Sequence, residues 1–507
     1  MTNIVTTPIF YVNGAPHLGH AYSGYLAGVY KRFHALVYDE SCLLISGTDE
    51  HGQKILESVV RSKTDINQFI KDKVQAFKTL WPELGVQTDI FVRTTEEQHH
   101  DLIQSVWNKL VEKGDIYLGY YQGLYCLGCE QYYTNYELQD NCCPIHKTPV
   151  EIKSEETYLF RLDTYRKQLI AFYQHSPDFI TPSHYSQAIL DYLKQGPLED
   201  LSVSRVNVSW GIKVPDHQEH TIYVWIDALF SYLTALKKAG YDPSVLTKTT
   251  HIIGKDILKF HAIYWPALLL AANLPLPKKL LVHGWWTING QKISKSNPET
   301  LISPNDLSDK LTSDGLRYAL FRQKKIARDG NIIINELIEV INADLVNNFA
   351  NLVKRNHTII LKCFLGSIDS KFIDQSTLSN LSKLTIKHCE QAVKEIFYFY
   401  KTFNFYQATL SWKEALDHCN GYFHQRTPWK INKGKSNISV QETCLVISNL
   451  VRLLAIVAYP LIPSLTSQVL QELGEDITTL QWQSACDLRS ITIKEAHSHF
   501  KRLAKEQ

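Results

Sequence analysis

The chain has 507 residues, 44% of them hydrophobic and 21% charged, which is an ordinary composition for a globular protein and excludes a disordered chain. A length of this order suggests roughly three domains. The formal net charge is only +2, which argues against a protein that coats polyanions non-specifically. The charge is uneven, because residues 346–507 carry 19 Lys and Arg against 13 Asp and Glu, whereas residues 1–345 carry 34 against 38. The C-terminal third is therefore mildly basic, which is compatible with RNA contact and equally with a solvated helical surface.

Neither a membrane span nor a targeting signal is predicted. The longest apolar stretches, such as LLAIVAYPLIP, are shorter than the ~20 residues that a span needs, and proline interrupts them. The N-terminus MTNIVTT has no basic region and no cleavage site. Six of the ten cysteines are scattered singly, as in a reducing compartment. We expect a soluble, cytoplasmic protein with no membrane contact.

The N-terminal part alternates short β-branched runs with longer amphipathic ones, which predicts βαβ units around a parallel sheet. The first run, NIVTTPIFYV, is followed at once by NGAPHLGH and a helical pattern. Ligands of such sheets bind at the carboxyl ends of the strands, which is where His17 and His20 are expected. By itself this HxxH pair is ambiguous, because no third metal ligand accompanies it and lone histidines are more often structural.

The alternation then stops, in a segment that we interpret as an insertion. Within it, Cys126-x2-Cys129 and Cys143-x2-His146 have the paired spacing of a structural zinc knuckle, in which two tight turns supply four ligands. Cys142 could replace Cys143, but only Cys143 has the two-residue spacing to His146. Because all four ligands come from protein, the site is expected to be closed and non-catalytic.

Strand and helix patterns return after the insertion, and the loop GQKISKSN follows them. Lys292 and Lys295 lie three apart in this loop, where lysines can reach phosphate oxygens as point charges. A K-x-x-K loop is more often solvated surface, and the chain has no P-loop motif. From about residue 335 almost every segment has the period of an amphipathic helix.

In combination these motifs resemble a known family. A first strand leading to HLGH, a second βαβ half and then KISKS is the ordered signature of class I aminoacyl-tRNA synthetases. More closely, the chain resembles the bacterial methionyl-tRNA synthetases with one zinc, in the segments TTPIFYVNGAPHLGHAY, GTDEHGQKI, FVRTTEEQH, GLYCLGCEQYYT, CPIH, YVWIDAL, IGKDILKFHAIYWP and VNNFANLVKRN. The resemblance covers about residues 1–450. The family loop usually reads KMSKS, and here Ile293 replaces the methionine while both lysines are kept.

The resemblance implies an α/β fold, with a Rossmann-type parallel-sheet catalytic domain, a zinc-knuckle insertion and an all-α anticodon-binding helical bundle. The implied domains are the first catalytic half at 1–115, the connective insertion at 116–215 with its knuckle at 126–146, the second catalytic half at 216–290, the KISKS loop and stem-contact region at 291–345, and the helical anticodon-binding domain at 346–507.

The implied activity is that of a methionine–tRNA ligase. L-methionine would react with ATP, bound with Mg²⁺, to methionyl-adenylate and pyrophosphate. Methionine would then pass to the 3′-terminal adenosine of tRNA(Met), initiator tRNA included. His17, His20, Lys292 and Lys295 would be the catalytic residues. The family often carries a C-terminal oligonucleotide-binding dimerisation domain, and since this chain ends at KRLAKEQ we expect a monomer.

The resemblance also implies binding residues. Methionine would contact Ile9, Tyr11, Asp49, Trp225, Ala228, Tyr232, Ile257, His261 and Trp265, with Asp49 holding the ammonium group. ATP would contact Asn13, Gly19, Gly254, Asp256 and Lys295. The CAU anticodon would contact Asn351, Arg355 and Trp429. One structural zinc ion per chain would be held by Cys126, Cys129, Cys143 and His146. Aromatic surroundings suit a thioether, although core packing is the alternative for each aromatic residue taken alone.

Other hypotheses compete with this one. A non-synthetase nucleotidyltransferase could share the HxxH turn, but small enzymes of that kind lack a zinc insertion and a long helical domain. A catalytically dead tRNA-binding relative would show damaged histidine or lysine motifs, and both motifs are intact. Leucyl, isoleucyl and valyl synthetases share the fold but need a large editing insertion, for which 507 residues leave little room.

Overall fold

The computed structural model describes residues 2–38, 41–128, 131–133, 138–206, 208–293, 302–372, 378–430, 438–476 and 488–505. Strands and helices alternate in the N-terminal part, as predicted. Its elements are β1 (Asn3–Tyr11), α1 (Leu18–Tyr38), β2 (Cys42–Asp49), α2 (Gln53–Ser62), α3 (Ile66–Glu83), β3 (Ile90–Arg93) and α4 (Glu97–Glu112). Strand β1 is buried along most of its length, which is typical of a parallel strand covered on both faces.

The segment that follows is mostly antiparallel. Its elements are β4 (Ile116–Cys126), β5 (Gln131–Tyr133), β6 (Glu151–Phe160), α5 (Arg166–His175), β7 (Ile180–Thr181), α6 (Ser183–Lys194), β8 (Leu201–Ser202), β9 (Ser204–Arg205), β10 (Lys213–Val214) and β11 (His217–Ile222). One sheet has the order β5-β4-β6-β8 and a smaller one the order β10-β11-β9. The long β4–β6 ladder holds the predicted knuckle at one end.

The βαβ pattern then resumes and leads into a hairpin. The elements are α7 (Val224–Lys238), β12 (Thr249–Gly254), α8 (Trp265–Ala271), β13 (Lys279–His283), β14 (Trp286–Ile288) and β15 (Gln291–Lys292). A single π-helical turn, Phe260–Tyr264, precedes α8. Lys292 therefore lies on a strand of the hairpin β14–β15, at the start of the segment that was predicted as a loop.

A six-stranded sheet is the centre of the fold, with the order β3-β2-β1-β12-β13-β7. Every neighbouring pair in it is parallel, which confirms the predicted α/β class. Because β1 lies beside β12, the two βαβ halves meet in the middle of the sheet, where ligands of such sheets bind. The edge strand β7 lies inside the predicted insertion 116–215, so the chain re-enters the central sheet before that insertion was expected to end.

The C-terminal part is helical. Its elements are α9 (Pro304–Leu311), α10 (Ser313–Gln323), β16 (Gly330–Asn331), α11 (Ile334–Val340), α12 (Asn351–Phe364), β17 (Ser367–Ile368), α13 (Asn380–Lys401), α14 (Phe405–Arg426), α15 (Ile438–Ala458), α16 (Pro463–Glu472) and β18 (Ile491–Thr492). A π-helical segment, Ile341–Ala350, joins α11 to α12 without a break. The predicted domain boundary at residue 346 thus falls inside a continuous helix.

Helix α15 is the central helix of this part. It has 21 residues and is, within the described residues, the one helix long and apolar enough to cross a membrane, by length and composition. In the most apolar 18-residue stretch of this helix, 83% is buried inside the protein. It packs on α12, α13, α14 and α16. Its apolar sequence is accounted for by this packing, as in the core helix of a bundle.

Candidate functional site

The carboxyl ends of β1, β2 and β12 bring the predicted ligand-binding residues to one edge of the sheet. Tyr11 and Asp49 are direct neighbours across the β1–β2 pair. Gly254 is the last residue of β12, and Asn13 lies half-buried in the loop between β1 and α1. The crevice expected at the meeting point of the two halves is therefore lined by the segments that carry the motifs.

The HLGH motif forms the loop end and first turn of α1. The backbone N–H of His17 donates to His20 Nδ1 at 2.9 Å, and that of Gly19 donates to His17 Nδ1 at 3.1 Å. The two rings are stacked, with centroids 3.7 Å apart. Because each Nδ1 accepts a hydrogen bond, a neutral imidazole at either position carries its proton on Nε2. A Cβ at Gly19 would lie 2.9 Å from the His17 ring, so the stacked arrangement needs glycine there.

Asp256 and Lys292 face each other across the crevice. Lys292 Nζ donates to Asp256 Oδ2 at 3.1 Å, and Trp285 Nε1 donates to Asp256 Oδ1 at 3.1 Å. Desolvation alone would raise the pKa of Asp256, but the Lys292 charge and these hydrogen bonds lower it to about 2. Lys292 Nζ also lies 4.2 Å from the centroid of the Trp285 ring. Sequence reasoning missed Trp285, which lies in the segment VHGWW ahead of the lysines.

A hydroxyl–imidazole pair lies among the residues predicted to contact methionine. His261 Nδ1 donates to the carbonyl of Ile257 at 3.1 Å, so its Nε2 accepts from the Tyr232 hydroxyl at 2.9 Å. Burial lowers the pKa of His261 to about 4, which keeps the ring neutral at pH 7. Tyr232 is buried as well, and burial raises its pKa. This wall of the site therefore carries hydrogen-bonding groups without net charge.

The other residues predicted to contact methionine differ in their burial. Trp225 is half-buried and stacks on Phe260, with ring centroids 3.9 Å apart. Trp265 is fully buried and packs edge-on against Phe230. Ala228 is buried on α7, whereas Ile9 on β1 and Ile257 after β12 are partly exposed.

Sequence reasoning also missed a buried charge network behind the crevice. Asp227 Oδ2 lies 2.6 Å from His51 Nδ1, and Asp227 Oδ1 lies 2.6 Å from His99 Nε2. Burial alone would raise the pKa of Asp227, but the two imidazoles outweigh it and lower the pKa to about 2. These residues lie within GTDEHGQKI, FVRTTEEQH and YVWIDAL, which carried the resemblance. The signal was thus present, but spacing alone could not show that the three segments meet.

Glu50, which directly follows Asp49, belongs to a second buried network. Its fully buried carboxylate accepts two hydrogen bonds from Arg93, both 2.9 Å long. The hydroxyls of Thr48 and Thr95 donate to it at 2.6 and 2.5 Å. Such a bidentate, charge-assisted arrangement holds the end of β2 rigidly, and with it the orientation of Asp49.

The predicted knuckle is assembled around His146. The ring atom His146 Nδ1 lies 4.0 Å from Cys126 Sγ and 3.8 Å from Cys143 Sγ. The backbone N–H of His146 donates to Cys143 Sγ at 3.4 Å. The two sulfurs and the imidazole form a group with metal-ligand spacing, which does not include Cys142. A Cβ at Gly128 would lie 2.8 Å from the His146 ring, so the first turn needs glycine. Soft thiolates with one imidazole suit zinc.

The predicted anticodon residues lie together on the helical part. Arg355 is one helical turn after the exposed Asn351 on α12. The Arg355 guanidinium lies 4.9 Å from the centroid of the Trp429 ring and 5.1 Å from that of Phe423. Trp429 is 41% exposed, which is high for so large an aromatic residue. An exposed aromatic ring backed by arginine is a surface on which a base can stack.

Two predicted residues, Cys129 and Lys295, lie outside the described residues. Ile293, which directly follows Lys292, is 3% exposed and belongs to the core that β1, α1 and the C-terminal helices share. The apolar side chain at the position of the family's methionine thus packs the end of β15 against the core.

Two family models match the chain. The model described as tRNA synthetases class I (M) matches residues 3–147 and 132–357. The model described as anticodon binding domain of methionyl tRNA ligase matches residues 375–501. Together they cover both the sheet edge with its motifs and the helical part.

Curated relatives agree with these models. The methionine–tRNA ligase of Rickettsia felis is 36% identical over 480 residues, which are 93% of this chain and 92% of the relative. That of a Nostoc species is 38% identical over 482 residues, 93% of this chain and 90% of the relative. Among solved structures, Mycobacterium tuberculosis methionyl-tRNA synthetase in complex with methionyl-adenylate superposes with a TM-score of 0.92 at 30% identity, covering 99% of this chain and 100% of that one. The chain therefore belongs to the methionyl-tRNA synthetase family of class I.

Proposed function

We propose that the chain activates L-methionine with ATP and transfers it to the 3′-terminal adenosine of tRNA(Met), initiator tRNA included. The observation that carries this proposal is the convergence of HLGH, GTDEHG, IGKD and the hairpin of Lys292 on one edge of the sheet. The convergence occurs in a chain whose relatives are methionine–tRNA ligases, and the similar Mycobacterium tuberculosis enzyme was solved with methionyl-adenylate.

In the first step the methionine carboxylate attacks the α-phosphorus of ATP, the bond to the β-phosphate breaks, and pyrophosphate leaves. The carboxylate is already ionised at pH 7, so the rate depends on positioning and on stabilising negative charge rather than on a general base. His17 and His20 would supply that stabilisation through their Nε2–H groups, because both Nδ1 atoms are engaged with backbone N–H groups. Mg²⁺ bound with ATP would neutralise charge on the phosphates.

We propose that Lys292 and Asp256 both contact ATP. The two side chains contact each other in the structure, and the low pKa of Asp256 keeps this carboxylate charged. We assign the ATP ribose hydroxyls to Asp256 and the phosphates to Lys292, with Lys295 acting on the leaving pyrophosphate. A charge that moves onto the triphosphate during the reaction stabilises the transition state more than the ground state.

Selectivity for methionine would come from the neutral wall of the pocket. A charged imidazole would require compensation, whereas the neutral His261 paired with Tyr232 tolerates an uncharged thioether beside it. The stacked Trp225 and Phe260 offer aromatic surface, to which a polarisable sulfur binds favourably. Asp49 would hold the substrate ammonium, at a strand end that the Glu50–Arg93 pair makes rigid.

At the other end of the molecule, we propose that Asn351, Arg355 and Trp429 contact the CAU anticodon. Unstacked bases of a single-stranded loop bind to aromatic faces and to guanidinium planes, and Arg355 and Trp429 provide both. We also assign one structural zinc ion to Cys126, Cys129, Cys143 and His146, where it would tie the two turns of the knuckle together. No disulfide joins the described cysteines, which supports a reducing, cytoplasmic location.

Pyrophosphate exchange into ATP, measured with each of the twenty amino acids in turn and without tRNA, tests the proposal. Methionine should drive exchange best. Faster exchange with another amino acid would refute the assigned specificity. Inactivity with all twenty would favour a tRNA-binding relative that has lost catalysis, and tRNA(Met) binding would then be measured directly.

A further inference from the structure

A second cluster of metal-ligand residues lies in the helical part of the chain. His357 on α12, Glu472 at the end of α16 and His499 in the segment 488–505 bring their side chains together. Glu472 Oε2 lies 3.3 Å from His357 Nδ1 and 3.0 Å from His499 Nε2. One ligand atom of each residue lies within 4.8 Å of the other two. Both imidazole side chains are 1% exposed, and the carboxylate is 16% exposed.

These atoms are held by two ion pairs, but among the residues that the structure describes none of them has a well-aligned hydrogen bond. The separations are short enough for N–H···O hydrogen bonds, but the alignment that such bonds need is missing. A buried polar atom without a well-aligned hydrogen bond is destabilising, because it has lost its contacts with water. Three such buried atoms facing one another form a site that a single ion, interacting with all three at once, would complete.

We propose that His357, Glu472 and His499 bind one divalent transition-metal ion, with zinc as the best candidate. Bonds of ~2.0–2.2 Å from zinc to nitrogen or oxygen place tetrahedral ligand atoms ~3.3–3.6 Å apart. The two measured separations from Glu472 Oε2, 3.3 and 3.0 Å, are close to this value. Two imidazoles and one carboxylate are ligands that zinc accepts, and water would complete the coordination.

His497 would support this site without being a ligand. Its Nδ1 contacts Glu472 Oε1, the oxygen that faces away from the other two imidazoles, and its Nε2 lies 2.9 Å from a Glu495 oxygen. A partner on the second oxygen fixes the orientation of a ligating carboxylate. His497 is 55% exposed, in contrast to His357 and His499.

The ion would join three segments that are distant in the sequence. On one side of His499, β18 pairs with β17, and Ile493 N–H donates to the Gly366 carbonyl at 2.7 Å. On the other side, Asn342 exchanges two hydrogen bonds of 2.9 Å with the backbone of Leu503. The metal would bind between these two anchors, so its binding would stabilise the packing of the segment 488–505 on the helices.

A third cluster, Glu156 with His217 and His220, has similar spacing and serves as an internal control. There the imidazoles are already engaged, since His217 Nδ1 lies 3.2 Å from the Tyr158 hydroxyl and His220 Nδ1 lies 3.0 Å from the Ser204 hydroxyl. A substitution in this cluster is therefore a matched control, within the same chain, for a substitution in the proposed metal site.

Metal analysis of the purified full chain, exchanged into metal-free buffer after growth with zinc, tests the proposal. We expect about two zinc ions per chain in the unmodified protein, and about one each in Cys143→Ser and in His499→Gln. His217→Gln should retain about two. A single zinc ion in the unmodified protein that His499→Gln leaves in place would overturn the proposal, and so would loss of the second ion through His217→Gln alone.

A second measurement avoids any effect of substitution at the cluster itself. Cys143→Ser protein stripped of metal by a chelator is digested with trypsin, with and without added zinc, and cleavage at Lys494 and Lys501 is followed by mass spectrometry. Zinc should slow cleavage at both lysines, because it holds the segment on the helices. Equal cleavage rates with and without zinc would show that this segment binds no metal. Circular dichroism of His499→Gln with an unchanged helical signal excludes misfolding as the cause of metal loss.

Discussion

The sheet edge and the Arg355–Trp429 surface both hold residues for which we propose substrate contacts, but they are constructed in opposite ways. At the sheet edge the charged groups are buried and paired, as Asp227 and Glu50 are with their histidine and arginine partners. On the helical part the corresponding side chains face solvent and rest on one another. Stabilising charge in a transition state needs dipoles fixed in advance, whereas reading the bases of a flexible loop needs accessible surface. Substitutions at the sheet edge should therefore affect stability and catalysis, whereas substitutions on the Arg355–Trp429 surface should affect tRNA recognition.

The largest effect is expected at Asp227. Asp227→Ala would leave two buried imidazoles without their carboxylate, and removing one partner of a buried ion pair costs about 3–5 kcal/mol. The free energy of unfolding, measured with urea, should fall by that amount, and pyrophosphate exchange should fall with it.

The matched control is Asp417→Ala on the helical part. Asp417 also has two polar partners, Lys413 and Asn348, but its side chain is 51% exposed. Exposed pairs contribute about 0–1 kcal/mol, so this variant should stay within that range. Equal losses in the two variants would contradict the contrast between a buried and an exposed network.

The next largest effect is expected at Lys295. Lys295→Ala removes a charge that acts as pyrophosphate leaves, so kcat for exchange should fall roughly 10²-fold or more while the KM for methionine changes little. Steady-state exchange rates measured at varied methionine concentrations give both constants. A raised KM with kcat intact would place Lys295 outside the chemistry.

At the opposite region, Trp429→Ala should impair charging and leave exchange unchanged, because adenylate formation does not involve tRNA. Loss of one base–aromatic stack costs about 1–3 kcal/mol, equivalent to roughly 5- to 150-fold in the kcat/KM for tRNA. Charging is compared on tRNA with the CAU anticodon and with a changed anticodon. The variant should lose part of the discrimination between them. A parallel loss of exchange and charging, with discrimination kept, would identify Trp429 as a structural residue.

The smallest effect is expected at Tyr232. Tyr232→Phe removes the hydroxyl that donates to His261 and leaves a buried nitrogen unpaired, so the KM for methionine should rise roughly 10-fold with little change in kcat. Tyr173→Phe is the control, since this buried hydroxyl donates to the backbone carbonyl of Ala262 at 2.7 Å. That variant should lose stability without a change in KM. The same KM for methionine in Tyr232→Phe and Tyr173→Phe would show that Tyr232 does not contribute to the methionine site.

Short spacings along the chain were enough to predict several features of this protein. Alternating strand and helix periods predicted the parallel sheet, the position of HLGH after β1 follows from the turn at its end, and the two-residue spacing of Cys143 and His146 predicted their approach. These features follow from local geometry, because a strand has a period of two and a helix one of 3.6, and a tight turn brings neighbours together.

Which distant segments meet could be seen only once the chain was folded. Asp227 contacts histidines 176 and 128 residues away, β7 joins the central sheet from within the predicted insertion, and Arg355 lies against Trp429. The cluster of His357, Glu472 and His499 has no sequence motif at all. Such contacts depend on how whole helices and strands pack to bury their apolar faces, and no local pattern along the chain encodes which polar side chains that packing brings together.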